Sequence, residues 1–237
     1  MEDMPKNKWP KRRPVLTERE KWILTDRAEY WLTNAPKKYE YVERFNQIWV
    51  AENCRKGGRV LEIGAGLGEH LRYEDMNKIE FYALDIRPEM IKGIKKRFPK
   101  VKTILGDCQK RMDFPKNFFD RVLAIHVLEH LPNLPSALKE VHRVLKPDGE
   151  FGVVIPCEGG LARELARYMG VKQVFEKKYG VSYDWYNKIE HINTAKEIIE
   201  ELDAYFDVHK KSFFPLRIPS INLNLALGMV LKPKNKK

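Results

Sequence analysis

The chain has 237 residues, is 43% hydrophobic, and carries 44 Lys and Arg against 33 Asp and Glu, a formal net charge of +11. This length and composition predict one globular α/β domain with a large core, and no apolar run reaches the roughly 18 residues of a membrane span. Three scattered cysteines, Cys54, Cys108 and Cys157, exclude a disulfide framework or a paired-cysteine zinc site and fit a reducing cytoplasm.

The first 16 or so residues hold Pro5, Pro10 and Pro14 among charges and are expected to form a loose arm with no secretory-signal pattern. Basic charge concentrates there and in the tail KPKNKK, where it reads as solubility; RNA or an anionic lipid surface is the alternative partner. Thr17 and Glu20 have capping-box spacing and open a predicted helix carrying Trp22, Ile23, Tyr30 and Trp31. A second helix, about 37–54, places Tyr41, Phe45, Ile48 and Trp49 at helical spacing, as a core stripe or an aromatic lid.

From Gly58 strand and helix alternate. Strands are expected at 59–63, 79–86, 101–105, 119–125 and 151–156, and helices after Gly64, at 87–98 and at 134–145. The strands are near-continuous apolar runs, as in a parallel sheet covered on both faces. An insertion follows, over 156–191. A helix from 194 and two closing strands, 206–214 and 221–232, complete the chain, with Asn222 and Asn224 on one polar strand face.

The glycine cluster VLEIGAGLGEHL, starting at Val60, lacks the lysine followed by Ser or Thr of a phosphate loop. It also departs from GxGxxG, because Glu69 occupies the third position and would repel a pyrophosphate. What remains is Glu62-x-Gly64-x-Gly66-x-Gly68. Bare backbone there admits close approach of a ligand, and a following helix N-terminus would offer N–H groups to a carboxylate.

That pattern resembles the first motif of the class I S-adenosylmethionine-dependent methyltransferases. Asp85 ends the second strand, Asp107 follows the third, and LEHL and RVLKPDG match the family between the fourth and fifth strands. The resemblance, closest to the type 11-like group, implies a Rossmann-like α/β fold. Its sheet is mostly parallel and seven-stranded, with helices on both faces, an N-terminal helical arm and a cap insertion after the fifth strand. One domain is expected over 1–237: arm and helices 1–54, cofactor core 58–155, cap 156–191, closing elements 192–232.

The resemblance also implies the cofactor, S-adenosyl-L-methionine. Glu62 is expected near its methionine end with Gly64, Ala65, Gly66 and Gly68. Asp85 is expected at the ribose hydroxyls and Asp107 at the adenine amino group, with Cys108 as a small neighbour and Ile86 packing on the adenine ring or in the core. Methyl transfer is a direct displacement governed by alignment, and a hydroxyl or amine acceptor must also lose a proton. His126, at the end of the fourth strand, is therefore the first candidate for a general base beside the cofactor, and His191, after the insertion, the second. Glu129 and the aromatic residues Tyr183, Trp185 and Tyr186 are candidates for acceptor contact. Glu129 and His130 resemble part of a metal site in quinone-methylating relatives, but His126 stands where an acid is wanted, so no metal is expected.

The adenine-N6 type of nucleic-acid methyltransferase needs [DNS]PP[YFW] after the fourth strand, where AIHVLE stands, and Cys157 lacks the setting of a cytosine-C5 nucleophile. The reading is methyl transfer to oxygen or nitrogen of a small molecule, lipid or glycan precursor. An RNA methyltransferase and a non-catalytic cofactor-binding protein are the alternatives.

Overall fold

Seven strands, β1 (Gly58–Ile63), β2 (Ile79–Asp85), β3 (Lys102–Leu105), β4 (Phe119–Ile125), β5 (Leu145–Pro156), β6 (Phe206–Phe214) and β7 (Ala226–Pro233), form one sheet in the order β3-β2-β1-β4-β5-β7-β6. The structure is a computed structural model describing residues 8–34 and 40–234. β1 pairs in parallel with β2 and β4, β2 with β3, and β4 with β5; β7 runs antiparallel to both β5 and β6. Chain order reverses between β1 and β4, so their carboxyl ends open a crevice of the kind that receives ligands in such sheets.

The predicted two-sided burial is present. Val60, Phe81, Leu123 and Val154 pack with Trp49 and Val50 of α2 (Glu40–Asn53) and Ile94 of α3 (Pro88–Arg97). On the other face Leu61, Ile63, Val122 and Val153 meet Leu134, Leu138 and Val141 of α4 (Leu134–Val144) and Ile198 and Leu202 of α8 (Ala195–Asp203). A capping box between Thr194 and Glu197 sets the start of α8. Thr17 and Glu20 do the same for α1 (Glu18–Asn34). In α2, Trp49 is buried and Phe45 stacks on Phe214, but Tyr41 stands in solvent. The side chains of Tyr30 and Trp31, and a helix start near Lys37, lie outside the described residues.

The insertion folds as α5 (Leu161–Tyr168), α6 (Val171–Tyr179) and α7 (Tyr183–Glu190). Ile23 of α1 packs with Phe175, Tyr179 and Tyr183 in a small separate core, so the first helix and the insertion form one helical cap.

Three expectations fail. Residues 8–13 are not a loose arm: Trp9 Nε1 donates to Glu201 at 2.8 Å, Lys11 Nζ to Glu197 and to the Ile192 carbonyl at 2.7 Å each, and Arg13 to the His130 carbonyl at 2.7 Å. The polar strand face at Asn222 and Asn224 is absent, since Ile221–Leu223 is a 3-10 turn and β7 starts at Ala226. Asn224 is instead fully buried, accepting from the Leu216 N–H and donating to the carbonyls of Ile218 and Ser220.

The third failure concerns the glycine cluster. No α-helix follows it; the chain makes a single 3-10 turn, His70–Tyr73, before β2. A buried polar triad fixes that turn. Arg121 NH2 donates to Glu74 Oε2 at 2.7 Å, Glu74 Oε1 meets His70 Nε2 at 2.8 Å, and His70 Nδ1 contacts the Gln47 carbonyl at 2.9 Å. Arg121 and His70 are essentially inaccessible. Burial pushes the Glu74 carboxyl up, but its bonds to His70 and Arg121 outweigh that and hold it below its usual value.

Candidate active site

β1 ends at Ile63, and the next residues turn sharply through left-handed backbone at Gly64 and Gly66, with φ of +65° and +54°. The two glycines serve different ends. A Cβ at Gly64 would collide with Val127, so that position is bare for internal packing. A Cβ at Gly66 would meet nothing closer than Glu69 Oε2 at 3.8 Å, which leaves open space over its backbone. Gly68 is packed like Gly64, against Leu71 and Phe98, and Ala65 is buried.

Asp85, at the end of β2, is buried, and its Oδ2 accepts the Gly66 N–H at 2.9 Å. Its Oδ1 accepts the Arg87 backbone N–H at 2.9 Å and Nε at 3.1 Å. The half-exposed Arg87 guanidinium thus supplies donors to the carboxylate expected to meet ribose. Ile86 is 61% exposed, which removes the core alternative and leaves its side chain available to a ring. Asp107 Oδ1 accepts from both the backbone and the side-chain nitrogen of Gln109, at 2.9 and 3.0 Å, forming the turn after β3. Cys108 is buried beside it, and burial pushes its thiol up to about 12.

Glu62 is the unusual member. It is buried, and its Oε2 has no hydrogen-bond partner among the described residues. Burial pushes its carboxyl well above the usual range, and the Glu69 and Glu74 carboxylates push the same way. A buried carboxyl oxygen without a donor is costly unless a cationic group meets it.

At the end of β4, His126 adopts φ of +53°, a left-handed conformation that costs a non-glycine residue about 1–2 kcal/mol. Its Nδ1 lies 3.0 Å from Glu129 Oε1, while Nε2 is buried and without a partner among the described residues. Glu129 is fully buried. Burial pushes its carboxyl up, yet the His126 hydrogen bond and the electrostatic influence of His126, His130 and His191 bring it down to about 2.

His191 caps the end of α7, with Nδ1 2.9 Å from Glu158 Oε2 and its ring 5.0 Å from that of His130. Glu158 gave no signal in the sequence. It is buried just after β5 and accepts from Arg163 at 2.8 Å, Asn187 at 2.9 Å and Arg167, tying α5 and α7 to the sheet. Its carboxyl is held far below the usual range: burial opposes ionisation, but the His191 hydrogen bond and the Arg163 charge prevail. The structure thus brings His126, Glu129, His130 and His191 together. Tyr183 belongs to the cap's own core, and Trp185 and Tyr186 pack against it.

The family model described as a methyltransferase domain, type 11, matches residues 61–153. That span runs from β1 through most of β5 and includes every feature of the glycine turn, Asp85, Asp107 and the His126 loop. The match makes residues 61–153 a methyltransferase domain of the class I, type 11-like superfamily. Its cofactor is S-adenosylmethionine, and the residues fit it: Glu62 offers an unpartnered buried carboxyl and Gly66 an open stretch of backbone.

Among curated relatives, a sterol 24-C-methyltransferase of Gibberella zeae is 38% identical over 152 residues, covering 55% of this chain and 39% of the relative. A mitochondrial arginine-hydroxylase of Rattus norvegicus is 35% identical over 138 residues, covering 54% and 39%. The chain spans well under half the length of these relatives. Among solved structures, a protein of Pyrococcus horikoshii OT3 superposes with a TM-score of 0.62 at 21% identity, covering 82% of this chain and 92% of that one, a likeness of fold.

Proposed function

We propose that this methyltransferase domain moves a methyl group from S-adenosylmethionine to an oxygen or nitrogen of a small-molecule or lipid acceptor. The observation that carries the reading is the unpartnered, buried Glu62 carboxyl near the end of β1, together with the open backbone of Gly66 in the turn that follows. When bound, the cofactor supplies a sulfonium methyl already activated for displacement. Glu62 would hold the ammonium at its amino-acid end, and Asp85 would take the ribose hydroxyls in exchange for the Arg87 guanidinium. Asp107 and Ile86 would meet the adenine, with Cys108 next to Asp107.

His126 takes the proton from the acceptor. Glu129 fixes its Nδ1–H, which leaves the lone pair on Nε2. A strained backbone retained at the mouth of a crevice is the kind of feature that serves function rather than stability. The sterol 24-C-methyltransferase relative supports an apolar acceptor, but its name speaks for carbon as the methylated atom and gives no support to oxygen or nitrogen.

The test is incubation of the purified chain with methyl-labelled cofactor and fractionated lipids, small metabolites and RNA. Label in lipid or metabolite is expected. Label confined to RNA, or cofactor binding with no transfer to any fraction, overturns the reading.

A further inference from the structure

We infer that Glu129, His130 and His191 form a binding site for a divalent transition-metal ion with zinc-like ligand preference. Each residue offers one ligand atom, and the three atoms lie within 4.8 Å of one another. Two residues follow β4 and the third ends α7, 61 positions later, so the site joins the core to the cap.

The hydrogen bonds decide which atoms are available. His130 Nδ1 lies 2.7 Å from the Glu190 carbonyl, and a carbonyl oxygen only accepts. Nδ1 therefore carries a proton, and in the neutral ring the lone pair is on Nε2. His191 Nδ1 lies 2.9 Å from the Glu158 carboxylate, which Arg163 and Arg167 keep ionised, so the same assignment follows. Glu129 spends Oε1 on His126, while its buried Oε2 has no partner among the described residues. With both rings neutral, each imidazole keeps a lone pair on Nε2; His130 Nε2 lies 4.0 Å from Glu129 Oε1, and the second oxygen of that buried carboxylate, Oε2, is unpartnered among the described residues. An array of acceptors needs a positive centre.

The donor set selects the ion. Two imidazoles and one carboxylate suit zinc and its first-row neighbours, whereas magnesium and calcium prefer all-oxygen cages. Both histidines already carry the supporting contact usual for metal-ligating imidazole, an Nδ1–H bound to a carbonyl or a carboxylate. Bonds of about 2.0–2.1 Å require the ligand atoms to draw together by about 1 Å. Three protein ligands leave positions for water or for acceptor oxygens, next to His126. The inference goes beyond the methyl-transfer reading and does not rest on it.

The test uses the full chain stripped with a chelator. Cobalt(II) titration followed by visible absorption, and zinc titration by calorimetry, are expected to saturate at one equivalent, while magnesium produces no signal. Glu129→Gln and His191→Ala are each expected to weaken zinc binding by about 100-fold, and Glu158→Gln by about 10- to 100-fold. Circular dichroism and S-adenosylmethionine binding report that each variant remains folded. Absence of saturable uptake by the wild type, or uptake unchanged in a folded His191→Ala, overturns the site. Failure of cofactor binding with metal uptake intact counts against the methyl-transfer reading alone.

Discussion

Arg87 clasps Asp85: its Nε lies 3.1 Å from Oδ1 and its NH2 3.3 Å from Oδ2 of a carboxylate that also accepts the Gly66 N–H. In the proposed cofactor site, ribose hydroxyls would compete for the same lone pairs. Calorimetry is expected to show Asp85→Ala weakening S-adenosylmethionine binding about 10- to 100-fold, the worth of one or two hydrogen bonds to a charged group. Arg87→Ala is expected to bind as tightly as wild type or more so, because it removes the competitor. Weaker binding by Arg87→Ala would give the guanidinium a supporting role instead.

Glu62 makes cofactor affinity depend on pH. Its folded-state carboxyl titrates well above its usual value, and only the ionised form attracts an ammonium. Affinity should therefore rise with pH until Glu62 is ionised and then level off. Without ligand the sign reverses for stability: the folded chain holds this proton more tightly than the unfolded one, so stability falls as pH climbs from about 4.5 towards the raised value. Glu62→Gln should flatten both dependences, measured by calorimetry and by thermal denaturation across pH.

Two of the three left-handed glycines in this turn, Gly64 and Gly66, separate folding from binding. Alanine at either costs about 1–2 kcal/mol of backbone strain. At Gly64 the collision with Val127 adds to this, so Gly64→Ala should show the larger loss in thermal stability. Gly66→Ala should stay folded, because its Cβ meets open space, yet lose cofactor binding. A Gly66→Ala chain that binds normally would show that the ligand does not lie over this backbone.

His126→Ala is expected to reduce turnover by about 10²- to 10⁴-fold, the range for loss of a general base. Cofactor affinity should stay within a few-fold of wild type, which places the defect after cofactor binding. Undiminished turnover would remove His126 from proton transfer.

Much of the architecture was legible because parallel strands are long apolar runs and the glycine spacing excludes other ligands. The boundaries of β6 were read to the residue, since Phe206 and Phe213–Phe214 bracket a charged edge stretch. The absent helix after Gly68 was not legible: 69–78 is as long as α3, and the Arg121–Glu74–His70 contacts that fix the 3-10 turn join residues no local period connects. Asn224 misled because alternation with apolar residues looks the same whether a side chain faces water or ties a buried loop. Glu158 was invisible for a different reason. Its partners Asn187 and His191 lie about 30 positions away on the cap, and no local period records such a contact. The arm was misread from composition, because Trp9, Lys11 and Arg13 find specific acceptors that proline and charge content cannot reveal.

The Arg121–Glu74–His70 triad gives the glycine turn a support with its own chemical vulnerability. A long helix would brace that turn with backbone bonds indifferent to pH. Here the brace is a set of sequestered charges, and removing its anion, as in Glu74→Ala, should cost about 3–5 kcal/mol by stranding Arg121. Glu74 titrates below its usual 4.5 in the folded chain, so its contribution is intact above that pH and drains away in acid. Acid should therefore loosen the seat of the methyl donor through a residue that never touches it.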